Sequence, residues 1–222
     1  MGTDNLHHKR KAKVVKELQR RRSRRASYDK ILIVCEGEKT EPNYFQELVD
    51  FYKLNSANVE IDGSCGSSPK SVLERAEYLA SSEKTKGDAY DRVYCVFDKD
   101  SHETYCETIK KIDNKRPVDI FYAVVSVPCF EYWILLHFNY TTKPFHQTGK
   151  SSVADEVIKD LKKYMPRYSK GDSNVFRQLV DQLDFAKSNS RRALESAKQN
   201  HTDNPSTNIH ELVDYLQNLI SD

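Results

Sequence analysis

Two apolar segments of the chain end abruptly in carboxylates, and the spacing of these carboxylates suggests that they act together. Residues 31–41 read ILIVCEGEKTE and place Glu36 directly after five apolar residues. Residues 92–100 read RVYCVFDKD and place Asp98 and Asp100 after a second such run. Neighbouring parallel strands present their carboxyl ends at one edge of an open α/β sheet. We therefore expect these three carboxylates to converge as oxygen ligands that suit Mg²⁺ or Mn²⁺.

The local sequence around these carboxylates favours a shared site. Gly37 allows the backbone to turn sharply after Glu36. Asp98 and Asp100 are two residues apart, so in an extended segment they point to the same side. Crowded like charges are costly unless a cation neutralises them, and such a site supports metal-assisted phosphodiester chemistry. For any one of these carboxylates, the alternative is an ordinary helix cap or loop residue.

A fourth carboxylate belongs to the apolar segment SVPCFEYWILLHF at residues 126–138, in which Glu131 is the only acidic residue. A buried carboxylate without a partner costs several kcal/mol. Pro128 places Glu131 in the first turn of the predicted helix, where the helix dipole alone would favour an anion. The segment also follows a predicted strand, which brings Glu131 to the same sheet edge. We therefore include Glu131 among the candidate catalytic residues, with dipole complementarity as the alternative.

Strands and helices that alternate along the chain have to position these residues. The apolar runs predict strands at 31–35, 58–61, 93–97 and 119–125, and helices at 43–54, 69–81, 103–112 and 129–139. Further helices are predicted at 153–164, 174–183, 186–199 and 209–220. This alternation predicts βαβ units, and thus an α/β fold with a parallel sheet between helices and a C-terminal helical extension.

The charge distribution divides the chain. Residues 1–25 carry ten Lys and Arg against two acidic residues, a net charge of +8, whereas the remainder carries −6. The predicted organisation is a basic arm at 1–27, an α/β core at 28–140 and a helical extension at 141–222. Basic segments often contact nucleic acid, and the arginines of the arm are candidates for this role: Arg20, Arg21, Arg22, Arg24 and Arg25. A solvated helix or a protein-binding arm is the alternative.

Composition narrows the class of protein. No apolar run approaches the ~20 residues of a membrane-spanning helix, and the basic N-terminus lacks the apolar stretch of a signal peptide. Five cysteines without CxxC spacing argue against a disulfide framework or a zinc site. We expect a cytoplasmic protein that has no membrane partner. Lys39 and Lys99 adjoin the carboxylates and are the candidates for holding phosphate.

Four motifs, which occur in the expected order, resemble those of the RloB-like family over most of residues 28–220. They are ILIVCEGEKTEPNYF, VFDKD, PCFEYWILLHF and NPSTNIHELVDYL. The core of that family is similar to the Toprim domain of topoisomerases, primases and overcoming-lysogenization-defect nucleases. The resemblance maps the Toprim glutamate onto Glu36 and the Asp-x-Asp pair onto Asp98 and Asp100. Glu41 resembles a second glutamate of those nucleases and is a candidate metal ligand, although its spacing differs slightly.

The resemblance also implies a role and partners. RloB-like proteins resemble components of bacterial restriction and abortive-infection loci, often encoded beside an ABC-type ATPase. Related Toprim effectors act as nucleases, in some cases on tRNA. We therefore expect a Mg²⁺- or Mn²⁺-dependent endonuclease in antiphage defence, with tRNA or other RNA favoured over DNA as substrate. The alternative is a non-catalytic subunit that binds nucleic acid or an ATPase. The oligomeric state, including a homodimer, stays open.

Overall fold

A mostly parallel five-stranded sheet forms the centre of the molecule. The structure is a computed structural model that describes residues 13, 15–20, 27–99 and 103–219. The strands are β1 (Ile31–Cys35), β2 (Val59–Asp62), β3 (Arg92–Asp98), β4 (Phe121–Val127) and β5 (Ser206–Thr207). Their order is β2-β1-β3-β4-β5, and only β5 runs antiparallel to its neighbour. The predicted α/β class with a parallel sheet is confirmed.

Eight α-helices surround this sheet in the described residues from 27 onwards. They are α1 (Thr40–Phe51), α2 (Pro69–Thr85), α3 (Tyr105–Asp113), α4 (Phe130–Leu135), α5 (Val153–Leu161), α6 (Val175–Leu179), α7 (Leu183–Gln199) and α8 (Ile209–Asn218). A 3₁₀ turn at Val180–Gln182 joins α6 to α7. In the N-terminal segment, residues 15–20 are also helical.

The continuous apolar runs reflect burial of both faces of the sheet. In β1, Ile31 and Ile33 pack into one core with α1, α4 and the C-terminal helices, whereas Leu32 and Val34 pack into a second core with α2 and α3. All five residues of β1 are fully buried. A strand covered on both faces has no need for alternating polar residues, which explains the sequence pattern.

Several element boundaries differ from the predictions. Helix α1 begins at Thr40 rather than at residue 43, so Pro42 lies within its first turn, where the missing N–H has no helical partner to lose. Strand β4 begins at Phe121 because Asp119 has φ of +66°, which is incompatible with an extended strand. Helix α4 ends at Leu135, four residues before the predicted end.

Strand β5 was not predicted, because its two residues lie in a turn-like NPSTN sequence. Ser206 and Thr207 pair antiparallel with Val127 and Ser126 at the edge of the sheet. The side chain of Asn208 reinforces this edge by accepting a 2.7 Å hydrogen bond from the backbone N–H of Val125. The C-terminal third of the chain therefore adds a strand to the sheet, besides its helices.

Candidate functional site

Glu36 and Asp98 meet because β1 and β3 are adjacent parallel strands. Cys35 lies opposite Val96, so both strands end at the same edge. The backbone N–H of Glu36 donates a 2.8 Å bond to the carbonyl of Val96. In return, Oε2 of Glu36 accepts a 3.1 Å bond from the backbone N–H of Asp98. The sheet register thus brings the two carboxylates together, as the sequence predicts.

Glu41 returns to this edge through the turn between β1 and α1. Gly37 has φ of +81°, a conformation that disfavours residues with a side chain. A Cβ at Gly37 would lie 3.9 Å from Oε2 of Glu41, so the turn passes directly beside that carboxylate. Glu41 occupies the first turn of α1 and is only 8% exposed. The turn therefore folds Glu41 back toward Glu36.

Glu131 lies in the first turn of the short helix α4 and is 1% exposed. Its Oε1 accepts a 3.2 Å hydrogen bond from the hydroxyl of Tyr168 and lies 3.6 Å from Nζ of Lys170. Both partners belong to the segment between α5 and α6. Glu131 therefore has a cationic partner, although its own sequence segment offers none.

These side chains line a single cleft with a volume of about 460 Å³. It opens at the carboxyl edge of the sheet and exposes acidic, basic and small polar residues. The lining consists of Glu36, Gly37, Glu38, Lys39, Thr40, Glu41, Ser67, Asp98, Glu131, Lys170 and Gly171. Four of the predicted site residues, Glu36, Glu41, Asp98 and Glu131, therefore share a single cleft with Lys39.

Burial and neighbouring negative charge raise the pKa of two carboxyl groups of the cleft, Glu41 and Asp98. Burial, together with the charges of Glu131 and Glu36, raises the pKa of Glu41 to about 8, although Lys170 opposes the shift. Burial and then the charges of Glu41, Glu131 and Glu36 raise the pKa of Asp98 well above its usual range. Burial disfavours the charged form of Lys170, but Glu131 and its neighbours outweigh burial and raise the pKa of Lys170. The cleft thus holds more carboxyl groups than Lys170 alone can stabilise as anions.

The donor chemistry of the cleft fits a divalent cation. Carboxylate oxygens are preferred ligands of Mg²⁺ and Mn²⁺, and a cation would relieve the repulsion that raises the pKa of Glu41 and Asp98. Within residues 27–99 and 103–219, no three His, Cys, Asp or Glu side chains stand close enough together to hold one ion. Asp100, the fifth predicted carboxylate, lies outside the described residues.

Comparison with known proteins identifies the family. The sequence model of the RloB-like protein family matches residues 31–216, which is most of the chain. The chain belongs to the RloB-like family. No curated protein and no solved structure matches it. The matched region begins at β1 and ends within α8, and therefore includes the entire acidic cleft of this RloB-like protein.

The two lysines predicted to hold phosphate have different surroundings. Lys39 is exposed and lines the cleft. Lys99 is ion-paired with Asp203, and its Nζ lies 5.4 Å from the centre of the Tyr105 ring. Lys99 does not line the cleft, although its backbone continues from β3. In this RloB-like protein, Lys39 is therefore the one of the two lysines that the cleft includes.

The basic arm is described only in part. Residues 15–20 form a helical turn that includes Arg20, and the other candidate arginines, Arg21, Arg22, Arg24 and Arg25, lie outside the described residues. Leu18 Cδ2 lies 3.6 Å from the position of a Cβ at Gly87, just beyond the end of α2. Helix α2 begins beside the cleft near Ser67 and ends where Glu83 pairs with Lys30, just before β1. The described turn of the arm thus lies at the sheet edge opposite to the cleft.

Sequence reasoning missed the segment that covers the cleft. Gly171 donates its N–H to Oγ1 of Thr40 at 3.0 Å and accepts a 3.2 Å bond from the side-chain amide of Asn43. These bonds hold Lys170 and Tyr168 over Glu131. The residues are about 130 positions apart in the chain, and no local pattern marks the segment as part of the site.

None of the helices in the part of the chain that the structure describes has the length and apolar character needed to cross a bilayer.

Proposed function

We propose that this RloB-like protein is a Mg²⁺- or Mn²⁺-dependent endonuclease with a Toprim-like core. The observation that carries the proposal is the convergence of Glu36, Glu41, Asp98 and Glu131 from four separate elements on one cleft. Two of these carboxyl groups have a raised pKa because of burial and mutual repulsion. Clustered carboxylates with perturbed pKa values in a cleft are typical of functional sites.

The fold supports the Toprim-like assignment. Glu36 follows β1, the Asp-x-Asp segment begins at the last residue of β3, and these two strands are parallel neighbours. This order places Glu36 beside Asp98, which is the relationship that the Toprim resemblance implies. Asp100 and Glu41 would complete the ligand set, with Glu131 close to it.

The residues of the cleft have distinct chemical roles in this proposal. Glu36, Asp98, Asp100 and Glu41 would hold the cation, which polarises the phosphodiester and lowers the pKa of attacking water. Tyr168 fixes the carboxylate of Glu131 by donating its hydroxyl. Lys170 is 54% exposed at its side chain and lies 3.6 Å from Glu131, so it can contact a substrate phosphate from this position.

The biological setting follows from the family resemblance. We propose action in bacterial antiphage defence or abortive infection, with tRNA or other RNA favoured and DNA as a further candidate substrate. An ABC-type ATPase encoded nearby is the proposed partner. The alternative function is a non-catalytic subunit that binds nucleic acid or an ATPase, and the net charge of +8 on residues 1–25 favours nucleic-acid contact in either case.

Metal-dependent cleavage tests the proposal directly. Purified protein, with and without the co-expressed ATPase, is incubated with total tRNA, single-stranded RNA and DNA in Mg²⁺, Mn²⁺ or EDTA. We expect cleavage only with metal, and loss of cleavage in Glu36→Gln. Glu195→Gln, an exposed change on α7, is the matched control and should cleave normally. If wild type and Glu36→Gln cleave equally, the site assignment is wrong; if none of these substrates is cut, the binding-subunit alternative is favoured.

A further inference from the structure

A second cavity lies beside the acidic cleft, in the segment that joins α5 to α6. Its volume is about 490 Å³, within the range of sites that hold small organic groups. Aromatic, aliphatic, cationic and amide side chains all contribute to the lining. The lining residues are Tyr164, Met165, Pro166, Arg167, Tyr168, Asp172, Val175 and Gln178.

Tyr164 presents an aromatic face to solvent at this cavity. The residue is 46% exposed, whereas most of the aromatic side chains of the chain are buried or half-buried. Its ring stacks on the ring of Phe138, with 5.3 Å between centroids and 5° between planes. The stack fixes the orientation of Tyr164, so its ring is a preformed platform that loses little conformational entropy when a ligand binds.

One cation lines the cavity together with Tyr164. Arg167 is exposed and has no ion-pair partner among the described residues. The acidic lining residue is Asp172, whose carboxylate accepts a 2.7 Å bond from the backbone N–H of Ser169. The rim of the cavity therefore offers unpaired positive charge to an anionic ligand.

The cavity and the acidic cleft share one stretch of chain. Tyr168 lines the cavity and donates its hydroxyl to Glu131. Lys170 and Gly171 line the acidic cleft, and Asp172 again lines the cavity. A ligand seated in the cavity would thus lie one tyrosine side chain away from the carboxylates.

We propose that this cavity binds an unpaired nucleotide of a single-stranded nucleic acid, with its base on Tyr164 and its phosphate at Arg167. Every base has a π-face, so an aromatic platform with nearby cations binds single strands of any sequence. Bases within a duplex are already stacked and paired, and are not available to Tyr164. The inference rests on the proposed nuclease function, since the next phosphodiester along the strand would then approach the acidic cleft.

The test measures binding, so it is independent of cleavage. Fluorescence anisotropy in EDTA follows roughly 15-nucleotide uridine and thymidine strands and a duplex of similar length. We expect Tyr164→Ala to weaken single-strand binding at least about fivefold, while Tyr164→Phe retains it. Tyr78→Ala removes a tyrosine that is 65% exposed on α2 and should have no effect. Uridine and thymidine strands distinguish RNA from DNA as the preferred source of the nucleotide.

Charge removal gives a second readout. Arg167→Ala should weaken single-strand binding and reduce the slope of log affinity against log salt, because a phosphate contact is lost. Thermal melting checks that each variant is folded, so that a loss of binding by Tyr164→Ala is not caused by a loss of the stability that the Tyr164–Phe138 stack provides. The inference is overturned if folded Tyr164→Ala binds single strands as wild type does, or if it loses duplex and single-strand affinity equally. Metal-dependent cleavage by such a variant would leave the proposed function intact and refute this inference alone.

Discussion

The backbone N–H of Asp98 donates a 3.1 Å hydrogen bond to the Glu36 carboxylate, and so joins the ends of two parallel strands. The bond requires only an acceptor oxygen at position 36, which an amide also supplies. The local backbone should therefore survive replacement of either carboxylate by its amide. Charge and shape at this edge can thus be separated experimentally.

Glu36→Gln and Asp98→Asn should each lower metal-dependent cleavage by about 100-fold or more, equivalent to at least about 2.7 kcal/mol of transition-state stabilisation. Each amide keeps the shape of the side chain but removes a charged metal ligand. The melting temperature in EDTA should stay the same or rise, because repulsion within the cleft is relieved. Cleavage rates and melting curves are measured in parallel. Asp184→Asn, at a side chain that is 92% exposed, is the control for the aspartate change.

Glu131→Gln distinguishes a role in the site from a purely helical role. If Glu131 acts in the cleft, turnover should fall at least tenfold, about 1.4 kcal/mol, with little change in melting temperature. Tyr168 can still donate to the amide oxygen, which preserves the packing. If Glu131 only complements the helix dipole, the change should cost about 0.3–1 kcal/mol of stability and spare activity. We expect the first outcome, and retained turnover with a lower melting temperature would contradict it.

Lys170 offers an independent test of the segment that covers the cleft. Lys170→Ala should reduce turnover more than it reduces stability, because it removes a cation from the cleft while Gly171 still bonds to Thr40. Lys159→Ala is the matched control, since that lysine is exposed and pairs only within α5. Steady-state kinetics and melting curves are compared for the two variants. Equal turnover in both variants would exclude a role for Lys170 in catalysis.

The raised pKa of Glu41 predicts how the stability of the metal-free protein depends on pH. Its pKa is about 8 in the folded chain, against a reference value of 4.5. Between these values the unfolded chain releases a proton that the folded chain keeps, so stability should fall as pH rises through this window and level off above it. Glu41→Gln cannot ionise, so it should match wild type near the lower limit and be more stable above the upper limit. Melting curves in EDTA across this range check the sign, and parallel curves for the two proteins would refute it.

Sequence patterns predicted the site residues at the ends of the strands, but they did not predict the segment that covers the cleft. Glu36 and Asp98 were predictable because each directly follows an apolar run, and parallel neighbours end at one edge. Glu131 was predictable from its isolation in an apolar helix. Lys170 was not predictable, because its 3.6 Å contact with Glu131 joins two residues that lie far apart in the sequence. Long-range packing of a loop leaves no periodic signal in the sequence.

Boundaries were least predictable where a single backbone conformation decides them. Asp119 lies at the start of a run that reads as a strand, yet its positive φ delays β4 to Phe121. Strand β5 has two residues and depends on pairing with β4, so its own sequence carries almost no preference. For β5, pairing with β4 determines the local state and overrides intrinsic propensity.

Removal of the basic arm should weaken nucleic-acid binding without affecting the fold of the core. The family match begins at residue 31, after the arm, and residues 1–25 carry a net charge of +8. Each lost phosphate contact should reduce the salt dependence of log affinity by roughly 0.7–0.9. The described turn of the arm lies near Gly87, opposite to the cleft, so cleavage at saturating substrate should change little.

A charge-only variant makes the arm prediction sharper than a deletion. Replacing Arg20, Arg21, Arg22, Arg24 and Arg25 with glutamine removes five positive charges and keeps the length of the chain. If the arm contacts phosphate, this variant and the deletion of residues 1–25 should both raise the KM for nucleic acid at physiological salt and leave kcat close to wild type. At high salt, counterion release no longer favours binding, so the affinities of both variants for nucleic acid should approach the affinity of wild type. Unchanged affinity and salt slope in both variants would instead assign the arm to a protein partner, for which the proposed ATPase is the first candidate to test by co-purification.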